Sequence, residues 1–168
     1  MSKKKTLIIL NSVIVGGILV DLLTKLLVAG LMTLGQSVTL IPGVLKLTYI
    51  HNYGAAFGML SDQRWVFMVI STIAIIGIGI YLFGFCKERM LLKVGLAMII
   101  SGGLGNMIDR VFYGYVIDMI NVCLFPFWKW IFNVADSFVC VGAGLVVLAL
   151  ILDMIKEVKE KKKDENKQ

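Results

Sequence analysis

A chain of 168 residues that is 58% hydrophobic, with a mean hydropathy of +0.87, exceeds the roughly 45–50% apolar content of soluble domains and needs lipid to cover the surplus. At about 20 residues per membrane-spanning helix, this length has room for roughly four spans and modest loops, and no soluble second domain fits. The net charge of +6 sits mainly beside apolar segments, where it meets anionic headgroups, and no nucleic-acid role is assigned to it.

The first apolar segment covers 6–28 behind Lys3, Lys4 and Lys5. It begins like a signal peptide, but Asp21 and Lys25 interrupt it before any convincing small-residue cleavage site, so a retained helix is expected. At about 1.5 Å per residue, Asp21 stands roughly 22 Å along this helix, with Lys25 one turn further. The two are i, i+4 neighbours on one face. They are either a plain salt bridge or the brace of a polar site.

The loop at 29–64 contains T-L-I-P-G-V-L-K-L-T-Y-I, which alternates and turns like short strands around Pro42-Gly43. Next comes H-N-Y-G-A-A-F-G, His51 to Gly58. Its glycines, Gly54 among them, permit a turn or close backbone approach, and Asn52 could hydrogen-bond a peptide main chain. A plain loop entering a helix explains the stretch equally. His51 is the only histidine, and without an acid nearby in sequence it is a poor general base.

The second and third spans are expected at 65–85 and 90–108. The third runs outward and brings Asn106, Asp109 and Arg110 to its outer end. A second outer loop, 109–132, leads to a fourth span at 133–153, with Asp136 about one turn below its start. The mixed-charge tail, 156–168, is expected to fray into water. All of this makes one integral membrane domain without internal repeats.

Most of the basic residues fall into three regions: the N-terminus, the 87–93 connection (Lys87, Arg89, Lys93) and the C-terminal tail. With four spans these regions share one side, so the positive-inside rule places both termini in the cytoplasm. Trp65, Trp128 and Trp130 then mark the outer boundary.

An ionisable side chain within a span is a functional-site hypothesis by default, and here such groups from three spans collect at one depth. Asp109 has a ready partner in Arg110. Asp118, in V-I-D-M, and Asp136, in F-N-V-A-D-S, have no lysine or arginine beside them and suit each other. Two carboxylates in a low-dielectric pocket share a proton, which is the chemistry of aspartic proteases. The 18-residue separation fixes no distance, although Gly105, Ala135 and Ser101 would let helices approach closely.

Serine chemistry lacks a G-x-S-x-G elbow, and a serine–lysine dyad would need Lys25 as its base, which already has Asp21. Cys86, Cys123 and Cys140 are odd in number and without C-x-x-C, and one histidine is too few for most metal sites. Two other readings stay open: a small ion-coupled transporter that relays protons, and a non-catalytic assembly subunit.

Together these residues make the sequence resemble the bacterial lipoprotein signal peptidase, or signal peptidase II, family along essentially its whole length. D-L-L-T-K from Asp21, N-Y-G-A-A-F-G from Asn52, G-N-M-I-D-R from Gly105, V-I-D-M from Val116 and F-N-V-A-D-S from Phe132 resemble five family motifs in order. Leu22 stands where glutamine is common, and Met119 where phenylalanine is usual. Neither departure removes a carboxylate.

The resemblance implies an all-α membrane protein of four transmembrane helices with a small extracytoplasmic β cradle between helices 1 and 2. It implies a globomycin-sensitive aspartic endopeptidase that removes the signal peptide from diacylglyceryl-modified prolipoproteins just before the lipid-bearing cysteine. Asp118 and Asp136 would be the catalytic pair. Asp21, Lys25, Asn52, Gly54, Ala56, Asn106, Asp109, Arg110, Asn133 and Ala135 would line or brace the pocket. The enzyme would use no metal or organic cofactor, act as a monomer among membrane lipids, and hold its site near the outer leaflet of the cell membrane. No lipid-acceptor cysteine follows the first helix, so the chain would be processor and not substrate.

Overall fold

A computed structural model describes residues 2–54, 64–87, 89–125 and 130–165. Four helices are long and apolar enough to cross a membrane. They are α1 (Lys3–Leu31), α2 (Arg64–Ile80, continued by a π-helical turn at Tyr81–Phe85), α3 (Met90–Phe112) and α4 (Val134–Glu165). The strands are β1 (Ser37–Ile41), β2 (Leu45–Asn52), β3 (Val116–Val122) and β4 (Ile131–Phe132), in one antiparallel sheet of order β1-β2-β3-β4.

The bundle is apolar outside and carries a buried polar layer within. Leu19, Leu23, Leu26 and Leu27 on α1 and Ile70, Ile73 and Ile76 on α2 are exposed, while Asp21, Lys25, Ser101, Asp109, Asp118 and Asn133 are buried. This is the distribution lipid demands: the outer face needs hydrocarbon, and buried charges need partners. Leu10, Leu82, Leu92, Leu96, Ala97, Ile100 and Ala149 form one apolar cluster toward the far end of the bundle from the sheet. Val28 at the end of α1 packs with Tyr49, Ile117 and Met119 to seat the sheet. The polar residues lie between the two clusters.

Small residues set the spacing between α3 and α4. A Cβ on Gly102 would collide with the carbonyl oxygen of Ala135, and one on Gly142 would lie 2.6 Å from the carbonyl oxygen of Gly95. The two helices therefore approach backbone to backbone, which carries the first turn of α4 up against α3.

Three features depart from the sequence expectation. The β element is not confined to the segment between helices 1 and 2, because β3 and β4 from the second loop complete the sheet. Val116 to Met119 are all buried, so β3 shows no polar alternation to reveal it. The third helix does not end at 108 but continues to Phe112, which puts Asp109 and Arg110 in its last turn, and Gly114 with φ 81° follows its end. The tail does not fray at 156: α4 runs to Glu165 with a Lys156–Glu160 pair at 3.7 Å on its surface, in a stretch rich in good helix formers.

Candidate active site

The site grows from the first turn of α4. Asn133 is the residue before the helix, and its side-chain oxygen accepts from the backbone N–H of Asp136 at 2.8 Å. Asp136 returns the favour, its Oδ2 accepting from the backbone N–H of Asn133 at 3.2 Å. This reciprocal closure over N-V-A-D is a capping box built from Asn and Asp. A third terminal donor, the N–H of Ala135, reaches across to Oδ1 of Asp21 on α1 at 2.8 Å. The cap thus fixes Asp136 in place and ties α4 to α1.

Asn133 also faces β3. Its amide nitrogen donates to Oδ1 of Asp118 at 2.7 Å and to Oδ1 of Asn106 at 3.0 Å. The amide of Asn106 in turn donates to Oδ1 of Asp136 at 2.7 Å. Asp118 and Asp136 are therefore joined through two asparagines, one ending α3's polar face and one capping α4. Asn52 on β2 supplies a further donor to Oδ2 of Asp118 at 2.8 Å.

Beneath this lies a charged layer. Lys25 places its ammonium 2.7 Å from Oδ2 of Asp21 and 2.9 Å from Oδ2 of Asp109, and donates to Oδ1 of Asn106 at 3.1 Å. The Lys25 ammonium is the polar contact of Asp21 Oδ2, which has no further hydrogen-bond partner among the described residues, and Oδ1 of Asp109 has none there. Asp109 also accepts the backbone N–H of Ile117 at 3.1 Å, pinning β3 one residue before Asp118. Sequence proximity suggested Arg110 as the partner of Asp109. Successive helix residues point about 100° apart, and Lys25 on the neighbouring helix makes the close ion pair with Asp109, while the Arg110 charge acts on Asp136 and Asp118 as well as on Asp109. Arg110 donates to the carbonyls of Asn106 at 3.3 Å and Gly54 at 3.4 Å.

Electrostatically the two carboxylates sit in shared surroundings. Burial, then the neighbouring charge of Asp136, pushes the Asp118 carboxyl up to about 7, against the lowering effect of the Asn52 and Asn133 hydrogen bonds. Asp136 lies in the first turn of α4, where the positive end of the helix dipole favours negative charge. Near neutrality the raised Asp118 carboxyl is thus poised between its protonated and ionised forms, beside a second carboxylate at a helix N-terminus.

The sequence and fold match known proteins over most of the chain. Residues 13–152 match the family model described as signal peptidase (SPase) II. The chain is 45% identical over 144 residues to the lipoprotein signal peptidase of Halalkalibacterium halodurans, covering 86% of this chain and 92% of that one. It is 43% identical over 140 residues to that of Bacillus subtilis, covering 83% and 91%. The chain belongs to the signal peptidase II family. A solved bacterial membrane enzyme superposes with a TM-score of 0.81 at 32% identity, over 90% of both chains. Signal peptidase II membership makes this a multi-pass bacterial membrane protease of lipoprotein processing, and selects that reading over the transporter and assembly alternatives.

The structure brings together Asp21, Lys25, Asn52, Asn106, Asp109, Asp118, Asn133, Ala135 and Asp136 through the contacts above, with Arg110 and Gly54 alongside; Gly54 donates its N–H to Oδ1 of Asn52 at 3.0 Å. Ala56 lies outside the described residues. His51 turns to the other face of β2 from Asn52. There it stacks on Tyr115 with ring centroids 3.7 Å apart and bonds the Tyr49 hydroxyl at 2.9 Å, and burial lowers its pKa. Sequence reasoning did not anticipate the Ile117 backbone contact or the cap. The N-x-x-D spacing at 133–136 was the available signal for the cap; nothing in the sequence marks the Ile117 contact.

Proposed function

We propose that this protein is an aspartic endopeptidase in which Asp118 and Asp136 activate a water molecule to cut the signal peptide from diacylglyceryl-modified prolipoproteins, just before the lipid-bearing cysteine. The observation that carries the proposal is the joining of the two carboxylates through Asn133 and Asn106, with the Asp118 carboxyl raised to about 7. One member of such a pair is available as acid and the other as base near neutral pH.

In the proposed reaction, ionised Asp136 takes a proton from water while the water oxygen bonds to the scissile carbonyl carbon. Protonated Asp118 gives its proton to the carbonyl oxygen. Collapse of the tetrahedral intermediate returns that proton to Asp118, breaks the C–N bond and expels the amine, which takes the proton held by Asp136. Water and two carboxylates supply every proton moved. Asn52 and Asn133 orient Asp118, Asn106 and the cap orient Asp136, and Lys25 with Asp21 and Asp109 braces the layer beneath them.

The basic flanks of the chain support both termini lying in the cytoplasm, which sets the sheet and the carboxylates toward the outer leaflet. A substrate held by its signal helix and its acyl chains would present the scissile bond at that level. The test uses purified enzyme with a matched pair of prolipoproteins, one lipidated and one not, and mass spectrometry of the product. Cleavage of the lipidated form alone, yielding a lipid-bearing N-terminal cysteine, is expected. Equal cleavage of both forms contradicts the substrate assignment.

A further inference from the structure

At the end of the bundle away from the sheet, an open, shallow cleft of about 390 Å³ runs between the extension of α4 and the start of α3. Two zones line it. Leu152 and Ile155 form an apolar floor, and Arg89, Lys156, Lys159 and Lys163 form a cationic rim. The lysines recur at spacings of three and four, so the continuous helix lays them in one stripe. Arg89, the residue preceding α3, is tied to Asp153 by an ion pair of 2.5 Å; among the described lining residues the one acid is Glu160, which lies 3.7 Å from Lys156 and leaves Lys159 and Lys163 as the unmatched charges of the stripe. The rim therefore keeps a cationic excess.

We propose that this cleft is a binding site for an anionic phospholipid, its phosphate held by the Lys156–Lys159–Lys163 stripe and its acyl chains lying against Leu152 and Ile155. Three observations converge on that occupant. The apolar and cationic zones follow one another along the helix axis where a membrane span gives way to a charged extension. Large apolar residues flanking the floor, Ile151 and Met154, are exposed, as a lipid-facing surface requires. Charge complementarity selects an anionic headgroup over a zwitterionic one. The family match ends at residue 152, so the lysine stripe lies beyond the part of the chain that defines the family.

The test is native mass spectrometry of the full chain released from an uncharged detergent, titrated with phosphatidylglycerol or phosphatidylcholine. The comparison is between the wild type, the stripe variant Lys156→Gln/Lys159→Gln/Lys163→Gln, and the off-stripe variant Lys161→Gln/Lys162→Gln. Circular dichroism confirms that α4 stays helical, which glutamine favours. Preferential retention of phosphatidylglycerol by the wild type and the off-stripe variant is expected, with a loss of about fivefold for each stripe lysine removed. An equal loss in the off-stripe variant, no loss in the stripe variant, or full displacement of the lipid by millimolar glycerol phosphate overturns the proposal. The first result would mean a diffuse basic surface, the second binding elsewhere, and the third a site for free phosphate.

Discussion

Lys25 donates to Oδ1 of Asn106 at 3.1 Å, linking α1 to α3 across 81 residues of sequence. That contact decides which way the Asn106 amide faces. With its oxygen held by the ammonium and by the amide of Asn133, its nitrogen is left to face Asp136. A buried lysine whose charge is shared with Asp21 and Asp109 therefore sets the hydrogen-bond polarity one layer above it.

Removing that charge should be costly. Lys25→Met leaves Asp21 and Asp109 buried without their cation, and loss of one partner from a buried ion pair destabilises by about 3–5 kcal/mol. Chemical unfolding in detergent micelles is expected to show a loss of that size. A change below about 1 kcal/mol would mean that the layer is solvated and that Lys25 does not hold it.

Asn133 has two separable duties. Asn133→Ser keeps an oxygen to cap α4, whereas Asn133→Ala removes it, and the cap is worth about 1 kcal/mol. Thermal unfolding should rank serine above alanine by about that amount. Both variants lack the amide that donates to Asp118, so both should lower kcat by at least about tenfold. Full activity in the serine variant would show that the cap alone matters.

The pH dependence follows from Asp118. Its folded pKa of about 7 stands above the ordinary 3.8, so between these values the folded state binds more protons than the unfolded state. Stability from this group is therefore fully present below about pH 4 and is lost as pH rises toward 7. Asp118→Asn should be more stable than the wild type above pH 7 and should flatten that slope, as read from unfolding at a series of pH values. The wild-type rate should also fall on the alkaline side with an apparent pKa near 7, as the pair loses its shared proton. An identical pH–stability profile in the variant would contradict the raised pKa.

Close approach of α3 and α4 gives a steric prediction. A methyl group at Gly102 meets the carbonyl of Ala135 in the first turn of α4, while one at Gly144 meets nothing within 4 Å. Gly102→Ala should cost about 1–3 kcal/mol through overpacking and reduce cleavage by displacing Asp136. Gly144→Ala should be neutral or stabilising by up to about 1 kcal/mol. The same response from both would remove helix spacing as the cause.

Much of this was legible in the sequence because membranes make polarity expensive. Asp21, Lys25, Asn106 and Asp136 stood out against apolar surroundings, and helical rise alone put them at one level. Partners were harder to read. Asp109 looked paired with Arg110 because the two are adjacent, but adjacency on a helix turns side chains apart, and the lysine that claims Asp109 comes from another span. The strand holding Asp118 was hidden because both of its faces are covered, so no alternation marks it. The charged C-terminal extension read as a solvated tail, yet it continues as a helix and shapes the lysine-rimmed cleft.

The most direct measurement is cleavage of a lipidated prolipoprotein by Asp118→Asn and Asp136→Asn, each purified and shown by thermal unfolding to retain the fold. Near-complete loss of turnover is expected in both variants, with substrate still bound. Substantial turnover in either folded variant would contradict the carboxylate pair.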